Sequence, residues 1–333
     1  MQYLPVSQRN NFLLLIKPTG FVFRLLLCLL ILGSFAQEAS ARTSGYTEEF
    51  NIPYCTVDGK TLTLNAFLPA DTTKVAPVMV DIHGGWWSGG SPATEVSNTF
   101  TDKGIAVFSI RYRLGQEGGF PQNIRDCRNA IRFIRKNAAR FHIDPDRIGV
   151  MGGSAGGHLS LMVAMVPEDF DDGGPTEGLE GISANVINCF SFIAPTDFLR
   201  FWNEGPDDEV RAPDGTITYR APDESIPNDS RPRFRVLFHG IVPDSPANKA
   251  LYTRMSPMAH VRKKLPPLLI CDGELDPIVP GLEGKALYKA LTIQGADATY
   301  WMTLGGGHAY PGGEGFQQIL DDFLTRTLSL NSR

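Results

Sequence analysis

Apolar residues along the chain follow two spacings, one typical of strands and one typical of helices. Every second position is apolar from Leu62 to Leu68, which predicts a half-buried strand. The runs 75–82 and 105–110 are short and almost wholly apolar, as in strands buried on both faces of a sheet. Further strands are predicted over residues 147–151, 186–193, 268–271 and 298–302.

Helical spacing appears between these strands. Apolar residues recur at steps of three or four from Ile124 to Phe141, after Pro121, and basic residues follow near the end of the stripe. This pattern predicts one amphipathic helix with favourable ends. Shorter helices are predicted over residues 155–165, 284–294 and 316–328. Strands and helices that alternate in this way indicate an α/β fold with a mostly parallel sheet and helices on both faces.

One segment interrupts this alternation. Residues 204–231 are rich in proline, aspartate and glutamate and contain few apolar residues. Two interpretations fit: a solvated surface excursion, or a lid that forms a small cap beside a pocket. The rest of residues 42–333 is predicted to form a single domain around this insertion.

The first 41 residues have the composition of a secretory signal peptide. Basic residues precede the apolar run Leu25–Leu32. Small residues occupy the minus-three and minus-one positions of two possible cleavage sites, Ser34 and Ala36 at the first and Ala39 and Ala41 at the second. A run of this length is too short for a membrane-spanning helix, which needs about 20 apolar residues. Cleavage after Ala36 or Ala41 predicts a secreted or periplasmic protein without a membrane anchor. An uncleaved N-terminal anchor is the alternative.

Composition excludes several classes of protein. The chain has 333 residues, 42% hydrophobic and 20% charged, which is ordinary for a globular protein. Its net charge of −5 and the absence of a long basic run give no reason to expect nucleic acid or an anionic membrane as a partner. Oligomeric state is not readable from these features.

The cysteines do not indicate a metal site. Cys55, Cys127, Cys189 and Cys271 have no metal-like spacing, and no metal or organic cofactor is expected. Export would permit a disulfide among them, yet three of the four lie among apolar residues, where buried thiols are common. Both possibilities stay open.

A possible nucleophile lies in the stretch Gly152-Gly153-Ser154-Ala155-Gly156. This GxSxG pattern follows a predicted strand directly and precedes a predicted helix. A serine on such a tight turn is strained and exposed, and the helix N-terminus behind it favours negative charge. The motif alone is weak, because a structural Gly/Ser turn has the same letters.

A serine nucleophile needs a base, and the base needs an acid that orients it. His308 follows a predicted strand in the stretch GGGH, and Asp276 follows another in GELDP. Both positions come after the carboxyl ends of strands, where open α/β sheets place their sites. Asp272 and Glu274 compete with Asp276, but the first lies closer to the buried strand and the second is expected to be exposed.

Stabilisation of an oxyanion requires backbone N–H groups that point into the site. The glycine-rich stretch HGGWW after the strand 75–82 can supply those of Gly85 and Trp86, and the start of the helix after Ser154 adds that of Ala155. Packed aromatics in a tight turn are the structural alternative.

Three further polar residues receive structural interpretations. His158, one turn beyond the serine, is predicted to be packed and hydrogen-bonded, and His83 to support its own loop. Asp126, within the amphipathic stripe, is predicted to lie on a helix face or in an ion pair.

Several stretches together resemble a known family. They are HGGWWSGG, DPDRIGVMGGSAGGHLSLM, MSPMAHV, GELDPIVP and the final GGGH. From about Tyr54 to the C-terminus, outside 204–231, the chain resembles α/β-hydrolase serine esterases of the hormone-sensitive-lipase-like and bacterial feruloyl-esterase-like groups. The resemblance implies an α/β-hydrolase fold, with the catalytic residues Ser154, Asp276 and His308 and the oxyanion donors Gly85, Trp86 and Ala155. One position departs from the family pattern, since Trp86 replaces the third glycine of HGGG and its indole can narrow the acyl pocket.

The expected activity is hydrolysis of carboxylic esters through an acyl-enzyme, with a small-molecule, lipid or polysaccharide-linked ester as substrate. An amide-directed hydrolase, such as an arylformamidase-like enzyme or a peptidase, would use the same groups. A non-catalytic binding module on the same fold is the third alternative.

Overall fold

The computed structural model describes residues 45–170, 174–204, 209–211, 217–219 and 231–330. The predicted signal peptide lies outside the described residues, as does most of the insertion 204–231, so neither expectation is tested. Residues from Gly45 onward form one compact unit.

Ten strands occur among the described residues. They are β1 (Tyr46–Val57), β2 (Lys60–Pro69), β3 (Ala76–Ile82), β4 (Ala106–Ile110), β5 (Ile143–Gly153), β6 (Cys189–Phe192), β7 (Glu209–Arg211), β8 (Ile217–Tyr219), β9 (Leu268–Gly273) and β10 (Ala298–Thr303). Eight of them form the main sheet, in the order β1-β2-β4-β3-β5-β6-β9-β10. The β1–β2 and β2–β4 pairs are antiparallel, and all other pairs of this sheet are parallel. Strands β7 and β8 pair with each other.

Helices cover both faces of this sheet. They are α1 (Asn98–Thr101), α2 (Gln122–Lys136), α3 (Ala138–Phe141), α4 (Ala155–Met165), α5 (Phe198–Glu204), α6 (Arg231–Leu237), α7 (Pro246–Met255), α8 (Leu282–Ile293) and α9 (Phe316–Thr327). One hydrophobic cluster joins the sheet to α2, α4, α7 and α8, and a second joins the opposite face to α1 and α9. The mostly parallel sheet and its two helical layers form the predicted α/β-hydrolase fold.

The apolar pattern predicted the central strands and the main helices within a few residues. The stripe from Ile124 to Phe141 was predicted as one helix, and this is wrong at one point. The helix ends at Lys136, because the backbone of Asn137 leaves the helical region and its side-chain amide donates to the carbonyl oxygen of Phe133 at 2.8 Å. The same stripe then continues in α3.

Other elements were not predicted. Strand β1 lacks regular alternation of buried and exposed residues, since its register with β2 shifts between Glu49 and Ile52. Helix α5 ends and helix α6 begins at the bounds of the segment that interrupts the pattern, and α7 follows α6.

The four described cysteines are free thiols, and three of them are buried. The possibility of a disulfide among them is therefore wrong, and the possibility of buried thiols is confirmed for Cys127, Cys189 and Cys271. No helix in the described ranges has the length and apolar character needed to cross a membrane.

Candidate active site

Ser154 lies in the turn between β5 and α4, at the carboxyl edge of the parallel strands. Its backbone has φ 56° and ψ −124°, a conformation that a residue with a side chain adopts only under strain. The turn is held from both sides: the Ser154 N–H donates to the carbonyl of Phe192 at 2.9 Å, and the His158 N–H donates to the carbonyl of Ser154 at 3.0 Å. The side chain is partly exposed, as a nucleophile must be.

The glycines of this turn allow a close approach of neighbouring backbone. A Cβ at Gly156 would collide with the carbonyl oxygen of Ile82, at the end of β3. A Cβ at Gly84, on the loop after β3, would lie 3.0 Å from Gly153 O and 3.5 Å from Ser154 Cβ. The loop after β3 therefore lies directly against the serine.

Asp276 and His308 form a direct hydrogen bond. The distance from His308 Nδ1 to Asp276 Oδ2 is 2.7 Å, with the carboxylate fully buried and the imidazole 19% exposed. The second carboxylate oxygen accepts the N–H groups of Ile278 at 2.8 Å and Val279 at 3.0 Å. The carboxylate is therefore held in one orientation, with one oxygen left for the imidazole.

Hydrogen bonds between two loops bring this pair together. Glu274 N–H donates to the carbonyl of Thr303 at 3.1 Å, and Leu275 N–H donates to that of Gly306 at 2.7 Å. These bonds join the loop after β9 to the loop after β10. Because the two strands are parallel neighbours, their following loops leave the sheet at the same edge.

The two competing carboxylates occupy different environments. Glu274 is exposed and accepts the N–H of Gly305 at 2.8 Å. Asp272 is buried beneath the site and accepts the Tyr300 hydroxyl at 3.0 Å. Burial, with a further contribution from the nearby Glu283, raises the pKa of Asp272 to about 8. Of the three candidate carboxylates, Asp276 is the one bonded to His308, and its role as the acid of the triad stays a prediction.

Phe192 contacts the Ser154 turn and also Tyr310 in the loop that carries His308, but no hydrogen bond joins the side chains of Ser154 and His308 in this structure. Phe192 accepts the Ser154 N–H, and its ring lies 5.1 Å from that of Tyr310, two residues beyond His308. Contacts between a serine and its base often tighten only when substrate binds. The assignment of Ser154 as nucleophile stays a prediction.

The predicted oxyanion donors lie in two segments next to the serine: Ala155 follows it directly, and Gly85 and Trp86 follow Gly84, which lies against it. Gly85 has φ 112° and Trp86 has φ 55°, so the loop turns through the left-handed region twice in succession. A Cβ at Gly85 would collide with Gly89 O, so only glycine fits there. Within the described ranges, the backbone N–H groups of Gly85 and Ala155 donate to no protein acceptor. Both are available to an oxygen bound beside Ser154.

His83 supports this loop, as predicted. Its Nδ1 donates to the carbonyl of Gly84 at 2.8 Å, and burial lowers the pKa of the imidazole. Tyr112, which the sequence did not single out, stacks on the imidazole at 4.4 Å and donates its hydroxyl to the carbonyl of His83 at 3.0 Å. No motif in the sequence marks this tyrosine.

His158 is packed and hydrogen-bonded, and that prediction is confirmed. Its Nδ1 accepts the indole N–H of Trp87 at 3.2 Å, and its Nε2 donates to the carbonyl of Met255 at 3.0 Å. The side chain is fully buried, and burial lowers its pKa to about 3. Asp126 lies in the predicted ion pair, 2.9 Å from Arg113.

A buried glutamate near the site was missed. Glu283, at the start of α8, accepts the N–H groups of Thr196 at 2.7 Å and Asp197 at 2.8 Å, and pairs with Arg200 at 2.8 Å. These contacts fix the loop after β6 against α8. A single charged residue at a helix start carries no sequence signal for such a role.

Comparison with known proteins identifies the family of this chain. The BD-FAE family model matches residues 64–291, a range that includes Ser154 and Asp276 and ends before His308. The probable carboxylic ester hydrolase LipM of Mycobacterium tuberculosis (strain ATCC 25618 / H37Rv) is 27% identical over 228 residues, 66% of this chain and 46% of that protein. Esterase LipQ of the same strain is 27% identical over 237 residues, 70% of this chain and 50% of that protein. The chain thus spans about half the length of the curated relatives it matches.

Solved structures match over nearly their whole length. A truncated form of a carbohydrate esterase from gut microbiota has a TM-score of 0.69 at 25% identity, over 87% of this chain and 99% of that chain. The butyrate-bound esterase Est2 of Thermogutta terrifontis has a TM-score of 0.62 at 25% identity, over 86% of this chain and 95% of that chain. Since the family model covers most of the described fold, the chain belongs to the BD-FAE family of α/β hydrolases.

Proposed function

We propose that this protein hydrolyses carboxylic esters with Ser154, His308 and Asp276 as a catalytic triad. The observation that carries the proposal is the 2.7 Å hydrogen bond between His308 and the buried Asp276, in the loops beside the strained Ser154 turn. An imidazole with one nitrogen bonded to a buried carboxylate presents its other nitrogen as a general base. The ester hydrolases among the relatives support the same chemistry.

The reaction proceeds in two halves. Ser154 Oγ attacks the ester carbonyl while His308 Nε2 takes the hydroxyl proton, and Asp276 stabilises the imidazolium that forms. The tetrahedral oxyanion accepts the backbone N–H groups of Gly85, Trp86 and Ala155, each worth roughly 3 kcal/mol of transition-state stabilisation. His308 then protonates the departing alcohol. A water that gives its proton to His308 attacks the acyl-enzyme and releases the acid.

The proposed substrates are esters attached to carbohydrate. Support comes from the similarity to a truncated form of a carbohydrate esterase from gut microbiota, which covers nearly all of that truncated chain. The partly buried Trp86 indole beside the oxyanion loop favours small acyl groups, because it takes the place of the third glycine in the family pattern. We therefore expect acetyl or similarly small esters to react fastest.

The proposal is tested by active-site labelling. A fluorophosphonate probe should label the wild-type protein and should not label Ser154→Ala. Ser160→Ala is a matched control, because Ser160 lies in α4, the helix that follows Ser154, is buried and donates to Gly156 O at 2.8 Å. Labelling of Ser154→Ala at the wild-type rate would refute the nucleophile.

A substrate panel distinguishes esterase from amide-directed activity. Acetyl, butyryl, longer-acyl and feruloyl esters are compared with formanilide at equal concentration. Turnover of the acetyl ester should exceed that of formanilide by orders of magnitude. Faster formanilide hydrolysis would replace the esterase assignment with an amide-directed one.

We also propose that the protein is exported by its N-terminal segment 1–41. The basic, apolar and small-residue order of that segment supports export. Expression of the full chain followed by fractionation and N-terminal sequencing tests this. A mature protein that begins after residue 36 or 41 is expected, and an intact N-terminus in the cytoplasmic fraction would contradict it.

A further inference from the structure

A pocket opens beside β1, β2 and the end of β4, and β3 with the oxyanion loop separates these strands from those that precede the triad residues. Its volume is about 390 Å³. Its polar and aromatic lining consists of Phe50, Asn51, Asn65, Ser91, Thr94 and Arg111. The proposed ester hydrolysis uses none of these residues.

The pocket is joined to the catalytic serine through the oxyanion loop. Gly84 lies against Ser154, and Gly90 folds back so closely on Gly84 that a Cβ there would collide with the Gly84 carbonyl oxygen. Ser91, in the pocket wall, follows Gly90 directly. Few residues therefore separate the pocket from the reacting centre.

The pocket also lies on the same side of the sheet as the loop that carries His308. The ring of Phe50 contacts Phe67 at 6.0 Å, and the ring of Tyr310 contacts Phe190 at 6.0 Å. Phe67 and Phe190 belong to one hydrophobic cluster on one face of the sheet. The pocket and the loop that carries His308 therefore lie over the same face of the sheet.

Arg111 supplies the charge of this pocket. Its backbone is fixed, because its N–H donates to Thr63 O at 2.9 Å and its carbonyl accepts the Tyr54 hydroxyl at 2.5 Å. Its guanidinium, by contrast, has no hydrogen bond or ion pair with any residue that the structure describes, although it is half-buried. Arg113, two residues further on, is paired with both Asp58 and Asp126. A partly desolvated guanidinium without an anion is a binding group for one.

Phe50 supplies an exposed aromatic surface. It lies where the register of β1 shifts, beside Asn51 with φ 57°, and such a bulge turns a side chain out of the regular pattern. The side chain is 44% exposed, while the edge contact with Phe67 holds its ring in place. A fixed and exposed phenyl ring is suited to pack on the C–H face of a sugar.

The floor of the pocket is rigid and its rim is polar. Asn65 is buried, accepts the N–H of Asn51 at 2.9 Å and donates to Ala93 O at 2.9 Å, so it ties the loop to β1. The side chains of Asn51, Ser91 and Thr94 have no hydrogen-bond partner among the described residues. They are available to ligand hydroxyls.

We infer that this pocket binds a uronic acid unit, a sugar that carries a carboxylate, within the saccharide whose ester is cleaved at Ser154. The link to the cleaved ester rests on the proposed function, whereas binding of the sugar itself does not. Arg111 would bind the carboxylate with two parallel N–H donors, Phe50 would pack on the ring, and the polar rim would bind hydroxyls.

Binding of sodium D-glucuronate to the full chain tests the inference, with D-glucose and acetate as probes of the two halves of the ligand. Titration followed by NMR should show glucuronate binding roughly tenfold more tightly than either. Arg111→Gln should remove the preference for glucuronate over glucose, and Arg111→Lys should retain part of it. Phe50→Ala should weaken both sugars. Arg326→Gln is the matched control, since Arg326 is exposed and pairs with Asp297 at the opposite edge of the sheet.

Three results would overturn the inference: equal binding of glucuronate and glucose, equal binding of glucuronate and acetate, or an undiminished preference in Arg111→Gln. Fluorophosphonate labelling is measured separately. Glucuronate binding without labelling of Ser154 would support the pocket and contradict the esterase. Labelling of Ser154 without glucuronate binding would support the esterase and contradict the pocket.

Discussion

Replacement of Asp276 by asparagine tests the acid of the triad with almost no change of shape. One carboxylate oxygen accepts the N–H groups of Ile278 and Val279 at 2.8 and 3.0 Å. The amide oxygen of asparagine can keep that place, and the amide nitrogen then takes the place of the oxygen 2.7 Å from His308 Nδ1. Since an amide nitrogen only donates, Nδ1 must accept and the imidazole proton moves to Nε2.

An imidazole protonated at Nε2 cannot take the proton of Ser154. We therefore expect kcat for an acetyl ester to fall about 10⁴-fold, a rise of about 5.5 kcal/mol in the activation free energy. Initial rates with p-nitrophenyl acetate at pH 7.5 measure this loss. Thermal unfolding of the variant checks that the buried site still folds.

The neighbouring carboxylates serve as controls. Glu274→Gln keeps an oxygen that can accept the Gly305 N–H, and its activity should stay within about threefold of wild type because an exposed side chain contributes little. If Asp276→Asn kept more than a tenth of the wild-type rate while Asp272→Asn lost its activity, the acid would be Asp272. That result would refute the assignment of Asp276.

Three further changes follow from the geometry. Gly85→Ala should lower kcat at least about 100-fold, because the new Cβ collides with Gly89 O and displaces an oxyanion donor. Gly45→Ala is the control and should keep wild-type activity, because nothing lies within 4 Å of a Cβ at that position. Equal losses of kcat in the two variants would contradict the steric argument. Trp86→Gly should raise kcat/KM for a butyryl ester relative to an acetyl ester by about tenfold, because it removes the indole of the oxyanion loop. An unchanged ratio would show that the indole does not border the acyl site. Asp272→Asn should flatten the pH dependence of stability. The unfolded carboxyl ionises near 3.8 and the folded one near 8, so wild-type stability falls as the pH rises between these values. The variant should gain up to about 5 kcal/mol over wild type across that window in urea unfolding, and parallel profiles would refute the shift.

The spacing of apolar residues along the chain was sufficient to predict the central strands of the sheet and its main helices. Strands such as β3 and β4 are buried on both faces, so an almost unbroken apolar run is the physical condition for their position. Tertiary contacts override pattern elsewhere. The break at Asn137 depends on one side-chain hydrogen bond, and β1 is held by its pairing with β2 despite its irregular pattern.

The site residues also divide into those that the sequence marks and those that only tertiary contacts reveal. Ser154, Gly85 and Asp276 are marked in the sequence because strained turns and sharp loops need particular residues at neighbouring positions. Tyr112 and Glu283 were not marked, because each acts through contacts with residues distant in the chain.

The sequence by itself determined the fold class and the residues expected to carry out the chemistry, because burial and backbone geometry act on short stretches of chain. Only the tertiary structure decided which carboxylate meets His308, that Tyr112 supports His83, and that Arg111 and Phe50 share a pocket. Those outcomes depend on the distance and desolvation between residues far apart in the chain, and no local pattern contains either quantity.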